Sequence, residues 1–188
     1  MKIKTVVLGD RAVGKTYFVQ HLNGEIKSTS YNPTIAVDFT EYSKSGTLMH
    51  IWDTSGLKKY MHIVRTFMRG SSLFIIVFND KRSLDKVETY IETIRSITRR
   101  DRRIVLLSLS SDVTTEAEGQ MIACQHNLSF FHCNVHNREN VLRTWHEIMH
   151  LCEREVRDHN WKVDDMNKKN MEIVNINTSS NYRFCWWF

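Results

Sequence analysis

Residues 3–8 form a run of apolar and β-branched side chains closed by Gly9, and similar runs recur at residues 73–78 and 104–107. Short apolar runs with no alternation read as strands buried on both faces, the arrangement of a parallel sheet. Between them the period lengthens. Leu84, Val87, Ile91 and Ile94 fall on one helical face, as do Val141, Trp145, Ile148, Cys152 and Val156. Strands alternating with amphipathic helices predict a three-layer α/β architecture, a mostly parallel sheet with helices on both sides. Residues 37–42 alternate, Ser45-Gly46 offers a turn, and residues 48–52 return, which predicts an antiparallel hairpin at the sheet edge. No internal repeat is visible. After about residue 156 the composition shifts to asparagine, lysine and serine and ends in Phe184-Cys185-Trp186-Trp187-Phe188. The expected organisation is one domain over residues 1–156 and a variable tail over 157–188.

A chain of 188 residues with 41% apolar content supports one good core. The longest apolar run is far short of the ~20 residues needed to cross a bilayer, and no signal-peptide pattern opens the chain. The expectation is a soluble-type cytoplasmic protein. Cys124, Cys133, Cys152 and Cys185 lack the paired spacing of a metal site or disulfide framework. The net charge of +5 comes from dispersed residues apart from Arg99, Arg100, Arg102 and Arg103, which read as a solvated turn between a helix and a strand. No nucleic-acid partner is expected.

The candidate chemistry begins where the first strand ends. Gly9-Asp10-Arg11-Ala12-Val13-Gly14-Lys15-Thr16 fits G-x-x-x-x-G-K-[ST], directly after a predicted strand and directly before a helical pattern, which is the context this motif requires. The glycines let backbone N–H groups of residues such as Arg11, Ala12 and Val13 converge on phosphates. Lys15 faces the β/γ oxygens, and Thr16 can ligate magnesium. The second hairpin strand ends in Asp53-Thr54-Ser55-Gly56, a D-x-x-G in which Asp53 can hold the metal and the Gly56 N–H can meet the γ-phosphate. A hydroxyl at Thr34, within Tyr31-Asn32-Pro33-Thr34-Ile35, can complete the magnesium set and close a loop over the triphosphate.

The order P-loop, Pro-Thr-Ile, Trp-Asp-Thr-x-Gly resembles that of Ras-superfamily GTPases. The flanks Ile35-Ala36-Val37-Asp38-Phe39, Met68-Arg69-Gly70-Ser71 and Ile76-Val77-Phe78-Asn79 resemble the Rab branch. The resemblance covers roughly residues 1–156. It implies the three-layer P-loop small-GTPase fold, with a mostly parallel six-stranded sheet and flanking helices, binding of GTP/GDP with Mg2+, and loops near residues 25–36 and 55–69 that reorder with the γ-phosphate. It further implies an effector surface at Ile35, Val37, Asp38 and Phe39, Rab-type effectors and an exchange factor as partners, and a place on the cytosolic face of membranes.

The departures are as informative as the matches. Where Rabs carry the water-orienting glutamine, this chain has Leu57, followed by Lys58 and Lys59, and the P-loop position usually held by glycine or serine is Arg11. Leucine cannot guide a water, and Arg11 either crowds the γ-phosphate or acts as an arginine finger in cis. Both positions therefore bear on hydrolysis, and no catalytic residue is assigned. For the base, N-K-x-D aligns with Leu109-Ser110-Ser111-Asp112, S-A-K aligns with Asn134-Val135-His136, and the usual stacking aromatic is replaced near Ile26-Lys27. Candidate base contacts are Asp112, Ser110 and Val135, with eroded guanine selectivity. Cys185-Trp186-Trp187-Phe188 is formally C-a-a-X, a candidate prenylation site at Cys185. The alternative is an unmodified aromatic end that meets a membrane interface or packs on the domain. Three functional readings stand: a GTP-binding regulator in membrane traffic or signalling, biased towards its triphosphate form; a pseudo-GTPase scaffold with weak or unselective nucleotide binding; or an efficient GTP hydrolase.

Overall fold

The computed structural model describes residues 1–24, 34–98 and 102–159. Its strands are β1 (Lys2–Gly9), β2 (Val37–Lys44), β3 (Thr47–Thr54), β4 (Leu73–Phe78), β5 (Arg103–Ser108) and β6 (Ser129–His132). Its helices are α1 (Lys15–Gln20), α2 (Met61–Met68), α3 (Lys81–Leu84), α4 (Val87–Ile97), α5 (Val113–His126) and α6 (Arg138–His159). The strands form one six-stranded sheet in the order β2-β3-β1-β4-β5-β6. Only the β2–β3 pair is antiparallel; β1, β3, β4, β5 and β6 run parallel. The expected three-layer architecture and edge hairpin are both present. The hairpin closes over Ser45 and Gly46, whose φ values of 51° and 80° match the two-residue turn that fits strand twist.

The two-residue period of the strands sorts the core into two layers. Val7, Ile75 and Val105 face α1 and α6, meeting Phe18, Val141, Trp145 and Ile148. Their neighbours Val6, Ile76 and Leu106 face the opposite side, meeting Val64, Met68, Leu84, Ile91 and Ile94 from α2, α3 and α4. Thus α1 and α6 cover one face of the sheet, and α2 to α4 cover the other.

One expected helix is divided. Leu84, Val87, Ile91 and Ile94 are all buried together, but they belong to α3 and α4 rather than to one helix. Asp80 starts α3 with a reciprocal cap, its carboxylate accepting from the Ser83 N–H at 2.8 Å. The chain then tightens at Lys86, whose N–H reaches only back to the Ser83 carbonyl at 3.3 Å. A tightened turn keeps the apolar face aligned while ending the regular ladder. A further difference lies within residues 55–69, expected as a loop, where a 3-10 turn (Lys58–Tyr60) leads into α2. Val64 and Met68 anchor this segment in the core. Helix α6 runs on to His159, past residue 156 where the composition changes. Among the described residues no helix is long and apolar enough to cross a membrane.

The ring of Trp145 is fully buried, stacks on Phe18 at 4.7 Å and donates its Nε1–H to the Phe18 carbonyl at 3.3 Å. Trp145→Ala is expected to cost about 3–5 kcal/mol of unfolding free energy by urea titration, because the cavity lies between rigid layers. The hairpin is tied to α6 through His146, which the Tyr42 hydroxyl meets at 2.9 Å and the Lys44 ammonium meets at 2.6 Å. Burial, and then Lys44 and His150, hold His146 below its ordinary 6.5. Burial and Lys2 likewise depress His50, although Glu41, 3.1 Å from its Nε2 but outside hydrogen-bond geometry, pulls the other way. A histidine with a depressed folded pKa leaves the unfolded chain to take up the proton first. The stability that these two histidines contribute is therefore fully present above 6.5 and is lost as the pH drops through their lowered folded values. The urea midpoint of the parent, relative to that of His50→Gln with His146→Gln, should fall as the pH drops below 6.5.

Candidate functional site

The site gathers at the ends of β1 and β3, where two central parallel strands deliver their following loops to one place. Gly9 takes φ 145°, and a Cβ there would collide with the Val77 carbonyl oxygen of neighbouring β4. The chain then curls through Ala12 at φ 61° and Gly14 at φ 95° before α1 begins. Lys15 is 5% exposed, and its Nζ donates to the carbonyls of Gly9 at 3.0 Å and Asp10 at 2.6 Å. Burial pushes the Lys15 ammonium down from its ordinary value, opposed by the negative charges of Asp53 and Asp10. A cation so placed is short of anionic partners.

Thr16, Thr34 and Asp53 meet beside it. The Thr16 hydroxyl donates to Asp53 Oδ2 at 2.5 Å and lies 2.9 Å from the Thr34 hydroxyl. Asp53 is 2% exposed, and its Oδ1 has no hydrogen-bond partner among the described residues. Burial pushes the Asp53 carboxyl up to about 6, with the Thr16 hydrogen bond and Lys15 acting against it. Two hydroxyls and a buried carboxylate with a spare oxygen are a hard-oxygen donor set, and they fit magnesium in the presence of phosphate oxygens. No cluster of three or more His, Cys, Asp or Glu suited to a metal occurs among the described residues.

The loops carrying Thr34 and Gly56 are joined: the Ser55 N–H donates to the Ala36 carbonyl at 2.8 Å. Gly56 lies so close to the P-loop that an added Cβ would overlap the Arg11 nitrogen and the Asp10 carbonyl. Only glycine permits that approach. Leu57 follows, half-buried, with its N–H on the Ser55 hydroxyl at 3.3 Å and its carbonyl accepting from Tyr60 N–H. The Arg11 side chain is exposed and enters no hydrogen bond or ion pair among the described residues, while its backbone N–H meets the Asp10 carboxylate. Its neighbour Asp10 forms an ion pair with Lys86, at the break between α3 and α4.

The base-side candidates are arranged differently. Asp112 caps α5, its Oδ2 accepting from the Thr115 N–H at 2.9 Å and the Thr115 hydroxyl at 2.5 Å. Those hydrogen bonds hold its carboxyl below the usual value. Ser110 is buried, and its hydroxyl accepts from the Asp112 N–H at 3.1 Å. Leu109 sits against the P-loop, with its Cδ1 3.0 Å from where a Gly14 Cβ would be. Val135 is half-buried against the α1/α6 core, and the adjoining His136 ring lies 6.0 Å from that of Tyr17. Tyr17 was not a candidate, because no sequence signal connects α1 to the loop after β6.

On the effector side Ile35 is 55% exposed, Asp38 is exposed, and Val37 and Phe39 are half-buried. Phe39, Trp52 and Phe67 form an aromatic row, with centroid distances of 4.7 Å and 4.8 Å. The Phe39–Trp52 contact follows from hairpin register, in which these residues pair directly. Phe67 has no such local signal. Ile26, Lys27, Pro33 and Cys185 lie outside the described residues.

These observations define a class: an α/β domain of the small-GTPase kind, with its P-loop on the first strand and its D-x-x-G on the third. The Ras family model matches residues 4–154. A Candida albicans Ras-related protein SEC4 is 25% identical over 164 residues, covering 81% of this chain and 78% of its own length. Ras-related protein Rab-5B of Plasmodium falciparum is 29% identical, covering 74% of this chain and 72% of itself. Ras-related protein Rab-11B of Dictyostelium discoideum is 28% identical, covering 73% and 68%. The chain belongs to the Ras family, as a Rab-like small GTPase.

If Lys15 is the cation aimed at the phosphates, Lys15→Ala removes triphosphate binding. Isothermal calorimetry with a non-hydrolysable GTP analogue should then show no measurable heat, against clear saturation by the parent protein.

Proposed function

We propose that this protein is a GTP-binding regulator of intracellular membrane traffic or signalling that stays in its triphosphate form because its own hydrolysis is impaired. The observation that carries the reading is an asymmetry: the charged pocket of Lys15, Thr16, Thr34 and Asp53 is assembled, while both positions beside it that govern hydrolysis are altered. In this reading Lys15 meets the β/γ oxygens, and the backbone of residues Gly9 to Gly14 cradles the phosphates, joined by Gly56. Thr16, Thr34 and Asp53 would hold a magnesium ion, whose contribution is charge neutralisation on the phosphates.

Hydrolysis requires a positioned water and stabilisation of charge on the transferring group. Leu57 offers neither donor nor acceptor to a water, and its side chain is half-buried. Arg11 occupies the exposed rim where an activating protein would insert an arginine, a contribution worth about 10³–10⁵ in rate. The effector surface comprises Ile35, Val37, Asp38 and Phe39, extended by half-buried Phe67, with buried Trp52 beneath them. The tail, through Cys185 or its aromatic end, would bring the protein to the cytosolic face of a membrane.

A second reading, a scaffold with unselective nucleotide binding, is favoured by one observation: Asp112 and Ser110 are engaged in the α5 turn. The nucleotide released on denaturing freshly purified protein separates the readings: GTP for the regulator, GDP for an efficient hydrolase, none for the scaffold. Single-turnover hydrolysis of bound GTP should be very slow and unresponsive to Rab-activating proteins. Leu57→Gln should restore part of the rate, and Leu57→Gln with Arg11→Ser should restore more along with the response to an activator. Fast hydrolysis by the parent that Arg11→Ala slows would instead make Arg11 a finger in cis.

A further inference from the structure

We propose, on the reading that the P-loop binds a nucleotide, that Lys86 is a positioning residue for the phosphate site. From the turn between α3 and α4 it holds Asp10, and through Asp10 the backbone curl that receives the phosphates. Asp10 is where the contacts of that loop converge. Its carbonyl accepts from the Lys15 ammonium at 2.6 Å, and its carbonyl group and the Arg11 nitrogen form the surface on which Gly56 rests. Its carboxylate takes the Lys86 ammonium and the Arg11 N–H. One residue thus links Lys15, the loop leaving β3 and the α3–α4 turn.

The carboxylate is the firmer hold. Its side chain is 13% exposed and that of Lys86 39%, so the pair is partly withdrawn from water, where an ionic hydrogen bond is stronger than on an open surface. Burial acts to raise the Asp10 carboxyl, but the Lys86 hydrogen bond, the Arg11 N–H and the charges of Lys86 and Arg82 outweigh it and keep the group below its ordinary value. The Lys15 hold on the carbonyl is different, since a triphosphate draws on the same ammonium. The Lys86 ammonium has a charged carboxylate as its partner, a stronger acceptor than a carbonyl, so its hold persists when the ligand arrives.

Lys86 is itself well fixed. The capping of α3 by Asp80 and Ser83 sets the turn before it, its carbonyl accepts from the N–H of buried Tyr90, and the adjacent Val87 is fully buried. The break that divides α3 from α4 therefore falls at a residue whose side chain is anchored in the P-loop. What it holds is strained. Ala12 takes φ 61°, left-handed for a residue with a Cβ, and such geometry persists only where surrounding contacts impose it. Without the tether a smaller share of molecules presents the curl ready-made, and ligand affinity falls by that share.

The test measures release of a fluorescent N-methylanthraniloyl GTP from the full chain after a chase with excess GTP. Lys86→Met, which keeps the aliphatic stem, is expected to speed release roughly fivefold, and Lys86→Arg, which keeps the ionic bond, to stay within about twofold of the parent. Lys81→Met removes an equal charge from α3, with its pairs to Asp85 and Glu118, and should also stay within about twofold. Asp10→Asn should speed release as Lys86→Met does, and combining the two should add little, because both remove one bond. Amide hydrogen exchange over residues 9–17 of nucleotide-free protein supplies a second readout, expected to be faster in Lys86→Met at that segment alone. Unchanged release, or release accelerated equally by Lys81→Met, overturns the proposal. If the parent binds no GTP, the GTP-binding reading fails instead, and exchange over residues 9–17 then decides whether Lys86 holds the loop: faster exchange supports the tether, and unchanged exchange overturns it.

Discussion

The burial of one positive and one negative charge at the ends of adjacent central strands is the constraint around which this domain is arranged. An ion taken out of water costs several kcal/mol unless its lost hydration is replaced. Lys15 replaces it with the carbonyls of the loop it belongs to, and Asp53 with the hydroxyl of Thr16. Neither is fully compensated among the described residues: the three-donor Lys15 ammonium meets two carbonyls, and one oxygen of Asp53 has no partner. The tight backbone at Gly9, the left-handed turn at Ala12 and the packed strands beneath hold both groups in place. A ligand that brings phosphate oxygens and a cation together answers both deficits at once, and its binding strengthens the fold by mass action.

Much of this was legible in the chain because it is encoded locally. The apolar runs at β1, β4 and β5 name the parallel strands, Ser45-Gly46 names the hairpin turn, and the spacing of glycines, lysine and threonine names the P-loop. Features that depend on long-range approach were not legible. The Asp10–Lys86 pair joins residues 76 positions apart, and nothing near either residue announces it. The division between α3 and α4 was hidden for the converse reason: its apolar positions keep helical spacing across the break, so periodicity reads straight through a tightened turn. The short strand β6 has only four residues, partly exposed, too few for a pattern.

The two ends of the candidate site are built differently. At the phosphate end the side chains lie together with their polar atoms within hydrogen-bond range. At the base end Asp112, the carboxylate expected to meet the base, serves as the N-cap of α5, and Leu109 packs its apolar side chain against the P-loop. A cap of this kind is worth about 0.5–2 kcal/mol to a helix, so local stability and base recognition draw on the same carboxylate. Hydrogen-bonded recognition discriminates sharply only while its groups are free to pair with the ligand.

The bond from Ser55 N–H to the Ala36 carbonyl links the Thr34 loop to the Gly56 loop. Gly56 in turn rests directly on the P-loop backbone. Displacing either loop alone would break a backbone hydrogen bond or open that contact, so partial arrangements are penalised relative to both loops in place or both released. The linkage ties the movement of one loop to that of the other. A protein that grips only one of the loops thereby senses the state of both.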